Sequence, residues 1–534
     1  MSAAARTSPQ LDAIVVDAGL AGLYMLHRLR GLGLRARVFE AGSGIGGTWF
    51  WNRYPGARVD IESLEYSYQF SGELQQAWKW SERYATQPEL LRYIDHVADR
   101  FELRRDIALN TRVESALFDE AVGRWTIATS GGQRVSARFC VMATGCLSST
   151  NTPKFEGIDS FGGAKYHTGD WPPAGVDFTG KRVGMIGTGS SAIQSIPIIA
   201  QQAAQLFVFQ RTPNYSIPAH NGPIDPELER RVKADYASFR VSNGQRPFGA
   251  DFRDNAGSAL AVSPEERQRE YEDRWARGGL AFLGAYGDLV FDPAANDTAG
   301  EFIRAKVRAT VKDPAVAELL SPRTVVGCKR LCVDTNYYAT FNRPNVTLVD
   351  VSQAPIEAIT PGGLRANGRE YTLDCIVFAT GFDAMTGALT RIDIRGRGGR
   401  LLREKWAAGP RTYLGVATAG FPNLFMITGP GSPSVLSNML PSIEQHVNWI
   451  ATAIGHVSAH GAASIDATPE AEDAWVAHVN EVADSSLFPR CNSWYLGANV
   501  PGKPRVFMPY LGFPQYVQKC NEVVAKGYEG FAIG

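Results

Sequence analysis

The sequence predicts an α/β chain in which two doubly wound units are interleaved and a helical insert interrupts the second. Three observations carry that prediction. The apolar run Ala13-Ile-Val-Val16 passes through Asp17-Ala-Gly19-Leu-Ala21-Gly22 into a helix-like stretch. The run Val183-Gly-Met-Ile186 passes through Gly187-Thr188-Gly189-Ser190-Ser191-Ala192 into another. Strand, glycine turn and helix in that order open a doubly wound unit. Two further apolar runs, Phe139-Cys-Val-Met142 and Ile376-Val-Phe378, each end in Ala-Thr-Gly, the mark of a last strand crossing into the other unit.

Taken in order, residues 1–150 form the first part of one unit and 151–221 the first part of the second. Residues 222–320 are charged and helical in pattern. Ser263-Pro264-Glu-Glu266 is a capping box with proline at the first helical position. Phe302, Ile303, Val307 and Val311 keep helical spacing until Asp313-Pro314 breaks the run. This stretch is expected to cover a cleft. Residues 321–381 return to the second unit, and 382–534 return to the first and add a C-terminal site segment.

The ends of the two fingerprints differ, and that difference reads a ribose. The first ends at Glu40, a carboxylate able to accept from a free 2′-hydroxyl, as in FAD or NAD. The second ends at Gln210-Arg211, a cation suited to a 2′-phosphate, as in NADP. A chain holding both can pass a hydride from nicotinamide to flavin. Gly44-Ile-Gly46-Gly47-Thr48-Trp49 follows Glu40 with small residues that let backbone approach a flavin or its phosphates. Arg58 and Asp60 follow among aromatics and, taken alone, read as a surface ion pair.

Composition bounds the rest. At 534 residues the chain forms several domains, and Lys+Arg equals Asp+Glu at 54 each, so no basic field exists for nucleic acid or an anionic membrane. No apolar run reaches spanning length. Seven scattered cysteines without a C-x-x-C pair fit a reducing compartment, and a cytoplasmic enzyme is the expected class. His167 has no second ligand spaced to form a metal site with it, and reads as a structural residue of the linker between the units.

The pattern Phe161-x-Gly163-x-x-x-His167-x-x-x-Trp171-Pro172, lying between two such fingerprints, resembles the signature of the type I Baeyer–Villiger monooxygenases. The runs around Ser432–Met439 and Asn492–Met508 look most like the phenylacetone and steroid monooxygenase branch. The resemblance covers nearly the whole chain. It implies an FAD- and NADPH-dependent enzyme that uses O2 to insert oxygen beside a ketone carbonyl, giving an ester or lactone through a flavin C4a-peroxide, with sulfide oxidation as a further activity.

Residue by residue, the resemblance makes Arg330 the charge that stabilises the anionic oxygen species and Asp60 the carboxylate that positions it. Lys329, Arg211 and Thr212 match the 2′-phosphate site, and Gly187, Thr188, Gly189, Ser190, Ser191 and Gln194 the pyrophosphate loop of NADPH. Gly19, Ala21, Gly22, Glu40, Gly47, Thr48, Trp49, Trp51, Arg58, Tyr66 and Val113 match FAD contacts. Trp494 matches the residue that meets the nicotinamide ribose. Val435, Leu436 and Met439 match the substrate lining, with Met439 also near FAD, and imply a bulky apolar or aryl ketone. The partners are a small ketone and O2, with the chain a monomer or weak oligomer.

Two departures stand out. Asp17 occupies the position of the first glycine under the FAD pyrophosphate, and Leu511-Gly512-Phe513 is one glycine short near the C-terminus. Three alternatives share parts of this pattern. A disulfide reductase needs a cysteine pair soon after the first fingerprint, whereas the first cysteine is Cys140. An N-hydroxylating flavin monooxygenase departs at Trp171-Pro172. An FAD-deficient, inactive homologue would follow if Asp17 prevents cofactor binding.

Overall fold

A computed structural model of the chain describes residues 10–534. Two parallel-cored sheets divide the molecule. The first has eight strands. Its parallel centre is Arg134–Met142, Gln10–Val16, Ala36–Phe39 and Ile107–Ala108. Strands Val113–Asp119 and Arg124–Thr129 extend it antiparallel. The chain then leaves, and the sheet is completed from far downstream by Asp393–Arg395 and Leu424–Met426. The second sheet is parallel throughout, in the order Val346–Asp350, Gln205–Gln210, Arg182–Ile186, Cys375–Phe378, Ala164–His167. The fold is therefore α/β with two interleaved Rossmann-like units, as the paired fingerprints and the two Ala-Thr-Gly crossovers predict.

The crossovers are tied to each other. Asn151 N–H donates to Gly381 O (2.9 Å), and Thr150 bridges Phe382. His167 ends the edge strand there. Its Nδ1 accepts from Gly169 N–H (3.0 Å), its Nε2 meets Thr380 Oγ1 (3.3 Å), and burial holds its pKa below the usual histidine value. Trp171 packs on Tyr166 and Phe178 in the core of the second unit. The His167 motif is thus a joint between sheets.

The insert is helical where its caps predict. Ser263 Oγ accepts from Glu266 N–H (3.2 Å) at the start of Pro264–Arg277, and Asp313 Oδ1 accepts from Ala315 N–H (2.8 Å) at the start of Pro314–Leu320. Its base is closed by Ser216–Pro218 pairing in parallel with Cys332–Asp334. Its apolar face, including Tyr271, Phe282, Phe302 and Ile303, merges with the core of the first unit.

Two features differ from the sequence reading. An antiparallel three-stranded unit, Ala358–Thr360, Gly363–Ala366 and Arg369–Thr372, stands inside the second unit. Cys328 and Cys491 form a disulfide across 163 residues, while Cys140, Cys146, Cys332, Cys375 and Cys520 are free and buried. The scattered spacing hid that pair, and a formed disulfide runs against the expectation of a reducing compartment. At the C-terminal departure, Gly512, at φ +104°, opens the helix Phe513–Ala525. Among the described residues no helix is long and apolar enough to cross a membrane.

Candidate active site

Each glycine turn delivers a helix N-terminus to the same space. The helix Leu20–Gly31 starts after Gly19, and the helix Ser190–Gln202 after Gly189. The first-turn N–H groups of such helices lack internal partners and attract anions. Between them lies one cavity of about 1250 Å³, larger than the roughly 300–1,000 Å³ of an ordinary ligand cleft. Its walls include both glycine turns and both Ala-Thr-Gly segments.

Arg330 stands on this wall. Its Nε and Nη2 donate to Asp60 Oδ2 and Oδ1, each at 2.8 Å, and its Nη1 donates to Val435 O at 2.8 Å. Burial alone would lower the guanidinium's pKa, but the charge and hydrogen bonds of Asp60 outweigh it, and the net displacement is upward. The planar fork is matched to the carboxylate, so orientation and charge are fixed together.

A second pair of cations has the opposite character. Among the described residues Lys329 and Arg211 share the wall without an acidic partner, and burial together with the charge of Arg211 lowers the Lys329 pKa. Two like charges held near each other favour an incoming anion. Thr212 borders them, and its carbonyl accepts from Thr188 Oγ1 (2.9 Å), bracing the second turn. Tyr54 OH donates to Gln194 Oε1 (2.8 Å) and Gln194 Nε2 donates to Arg58 O (3.2 Å), joining the two units at the cavity. Arg58 also pairs with Glu82 (3.3 Å).

The first turn is less ordinary. Asp17 has φ +86°, the left-handed region that favours glycine, and the corresponding residue of the second turn is Gly187, at φ +114°. Asp17 Oδ1 accepts from Gly19 N–H (2.7 Å), so the side chain takes one helix-start donor while still facing the cavity. Burial first, and the Glu40 carboxylate second, push the Asp17 pKa well up.

Most predicted residues meet at this cavity: Gly19, Ala21, Gly47, Thr48, Trp49, Arg58, Asp60 and Tyr66 from the first unit; Gly187, Thr188, Gly189, Ser190, Ser191, Gln194, Arg211, Thr212, Lys329 and Arg330 from the second; and Val435, Met439 and Trp494 from the C-terminal part. Five do not reach its walls. Glu40 is 1% exposed, and its oxygens accept from Ala18 N–H (2.7 Å) and Gly42 N–H (2.6 Å), so it shapes the turn from behind. Gly22 backs the turn. Trp51, Val113 and Leu436 lie away from the lining, Val113 in the core on the far face of the sheet.

The insert contributes no wall residue either, contrary to its expected role as a cover. It braces instead: Asn438 N–H donates to Phe248 O (2.7 Å) and Leu487 N–H to Val290 O (2.8 Å), behind the Met439 and Trp494 segments. Cys146 is a small buried wall residue whose thiol burial pushes up to about 11. Sequence reasoning missed Asn52, Tyr54, Arg490, Asn492 and Asn499 on the wall; no motif marks them.

These residues fit two dinucleotides. Two helix starts can face two pyrophosphates, and Lys329 and Arg211 place two cations together on the wall. Asp17 is the one discordant group. Comparison with known proteins agrees. A Baeyer-Villiger monooxygenase of Pseudooceanicola batsensis is 45% identical over 524 residues, covering 97% of this chain and 95% of its own. The chain belongs to the Baeyer–Villiger monooxygenases. A solved structure titled oxidized steroid monooxygenase bound to NADP is 56% identical with a TM-score of 0.94, covering 98% of this chain and 99% of its own. A phenazine N-monooxygenase of Lysobacter antibioticus is 44% identical, over 98% of this chain and 97% of its own. The family model for pyridine nucleotide-disulphide oxidoreductases matches residues 14–242. That match covers the shared dinucleotide architecture; the monooxygenase has no cysteine before Cys140 and hence no redox pair beside the first turn.

Proposed function

We propose that this Baeyer–Villiger monooxygenase converts a bulky apolar ketone to its ester or lactone with NADPH and O2, using Arg330 as the catalytic charge and Asp60 as its positioning partner. The observation that carries the assignment is the two-point Arg330–Asp60 pair, 2.8 Å at both contacts, on the wall where the two nucleotide turns converge. Bound FAD supplies oxygen activation and bound NADPH the hydride that reduces it.

The chain's own groups do the rest. The Gly187–Ser191 turn and the Ser190–Gln202 helix start receive the NADPH pyrophosphate, and Lys329, Arg211 and Thr212 its 2′-phosphate. The Gly19–Ala21 turn, Thr48, Trp49 and Tyr66 hold FAD. Arg330 keeps a permanent positive charge where negative charge develops on the ketone oxygen, and cannot neutralise that charge by losing a proton. Val435, Met439 and Trp494 give that charge an apolar surround that excludes water. The enzyme acts as a monomer or weak oligomer in the cytoplasm. A second reading, oxygenation at sulfur or nitrogen in the same site, draws on the N-monooxygenase relative.

The test is Arg330→Ala. Stopped-flow reduction by NADPH proceeds near the parent rate, while ester formation falls by about a hundredfold or more, the scale for removing one preorganised charge. Ester formation at the parent rate would refute the role. A substrate panel with small cyclic ketones, aryl ketones, sulfides and phenazines decides the acceptor; conversion of small cyclic ketones alone would refute the bulky-ketone proposal.

A further inference from the structure

The Cys328–Cys491 disulfide joins two stretches that each carry site residues. Cys328 immediately precedes Lys329 and Arg330. Cys491 lies between the single turns Phe488–Arg490 and Trp494–Leu496, next to Asn492 and three residues before Trp494. Lys329, Arg330, Cys491, Asn492 and Trp494 all stand on the cavity wall. Both half-cystines are buried, with Cα atoms 6.1 Å apart.

Each stretch is otherwise held by other neighbours. Val326 N–H donates to Asn296 Oδ1 (2.8 Å), and Arg330 reaches Asp60 and Val435. The C-terminal stretch is held through Leu487 to Val290, Asn499 to Phe382, and Met508 to Tyr495. Apart from a side-chain hydrogen bond between Tyr495 and Arg330, no hydrogen bond or ion pair among the described residues joins residues 324–331 to residues 487–498. The disulfide is the covalent tie between the cation loop and the Trp494 segment.

We propose that Cys328 and Cys491 are positioning residues. Bonded, they hold Lys329 and Arg330 in register with Trp494; reduced, they release that register and weaken NADPH binding and coupling of NADPH use to ester formation. The inference rests on the roles proposed above for Lys329, Arg330 and Trp494. Reduction balances as disulfide plus an external dithiol giving two protein thiols plus the oxidised cyclic reductant, two electrons and two protons moving together. Re-formation balances as two thiols plus one hydrogen peroxide giving the disulfide and two waters. No internal thiol is poised to open the bond: Cys332 and Cys146, on neighbouring stretches, are buried with thiols pushed up to about 12 and about 11.

The experiment uses the FAD-loaded enzyme. Alkylation and peptide mapping without reductant should yield a 328–491 cross-linked peptide that dithiothreitol abolishes. Steady-state kinetics then compare oxidised and dithiothreitol-reduced enzyme with Cys328→Ser, Cys491→Ser and the double variant. Reduced enzyme and all three variants should show the same rise in KM for NADPH, about fivefold or more, with less ester per NADPH and unchanged flavin content. Dithiothreitol should change none of the variants further. If variants fail to fold, the oxidised and reduced parent enzymes carry the comparison. Both thiols alkylating in unreduced active enzyme would overturn the proposal. So would a lower melting temperature on reduction with KM and coupling unchanged, since that marks a purely structural bond. If no ketone yields ester with oxidised enzyme, the functional reading fails, while the cross-link and KM for NADPH still decide the disulfide's role.

Discussion

Asp17 concentrates two unfavourable conditions in one side chain. Its backbone is left-handed, and its carboxyl is buried beside Glu40 at the helix start proposed above to face the FAD pyrophosphate. If ionised at roughly 5 Å from a phosphate, with an effective dielectric near 20, it would oppose the cofactor by about 3 kcal/mol. If protonated, it still occupies the Gly19 N–H that a phosphate could use. Asp17→Gly is therefore expected to raise the flavin-to-protein absorbance ratio and the melting temperature together, because FAD stabilises only the folded state it binds. Full flavin content in the parent, unchanged in the variant, would show that the turn tolerates aspartate. Lys329 supplies a second test at this scale. Lys329→Ala should raise KM for NADPH about tenfold while leaving that for NADH nearly unchanged, since one phosphate–cation contact of about 1.4 kcal/mol is lost. Equal changes with both nucleotides would remove Lys329 from the 2′-phosphate site.

At the scale of elements, the insert docks through a buried carboxylate. Glu65 Oε1 accepts from Asp251 N–H (2.8 Å) and Asn243 Nδ2 (3.2 Å), both from the insert. Burial, reinforced by the charges of Glu62 and Asp251 and only partly offset by the Asp251 N–H and by Arg240, pushes its pKa up to about 8. A carboxyl raised on folding stabilises most below its unfolded value, near 4, and that stabilisation is lost as pH rises through about 8. Glu65→Gln keeps an acceptor and removes the titration. Its melting temperature relative to the parent should climb between about pH 4 and pH 8 and level off above. A difference constant with pH would show that Glu65 is not the titrating group. The insert's helices were legible because their signals are local: Ser263 and Asp313 cap within three residues of themselves. What the insert packs against was not legible, since its apolar stripe fits a lid and a brace equally. The small antiparallel unit escaped notice because its strands are three or four residues long and Pro361-Gly-Gly363 reads as a turn alone.

At the scale of the molecule, the two units meet at a seam where Tyr54 of the first reaches Gln194 on the helix that follows the second unit's glycine turn. Tyr54→Phe leaves the Gln194 oxygen without this donor, at a cost of about 1 kcal/mol or somewhat more. The variant should show a severalfold higher KM for NADPH and an unchanged flavin content; loss of flavin instead would place Tyr54 in the FAD site. The glycine turns could be read from sequence because each is fixed by its own few residues. The pairing of Asp60 with Arg330, across 270 positions, and of Cys328 with Cys491, across 163, depends on how the sheets are interleaved. No spacing rule reveals either. The resemblance indicated the first pair, and nothing in the sequence marked the second.

The guanidinium of Arg330 grips three stretches made at very different times during synthesis: its own loop, Asp60 near the start, and Val435 near the end. This one side chain thus ties the start, the middle and the end of the chain together. A chain that stops short of Val435 lacks one of its anchors, so Arg330 is fully held only once most of the sequence is in place.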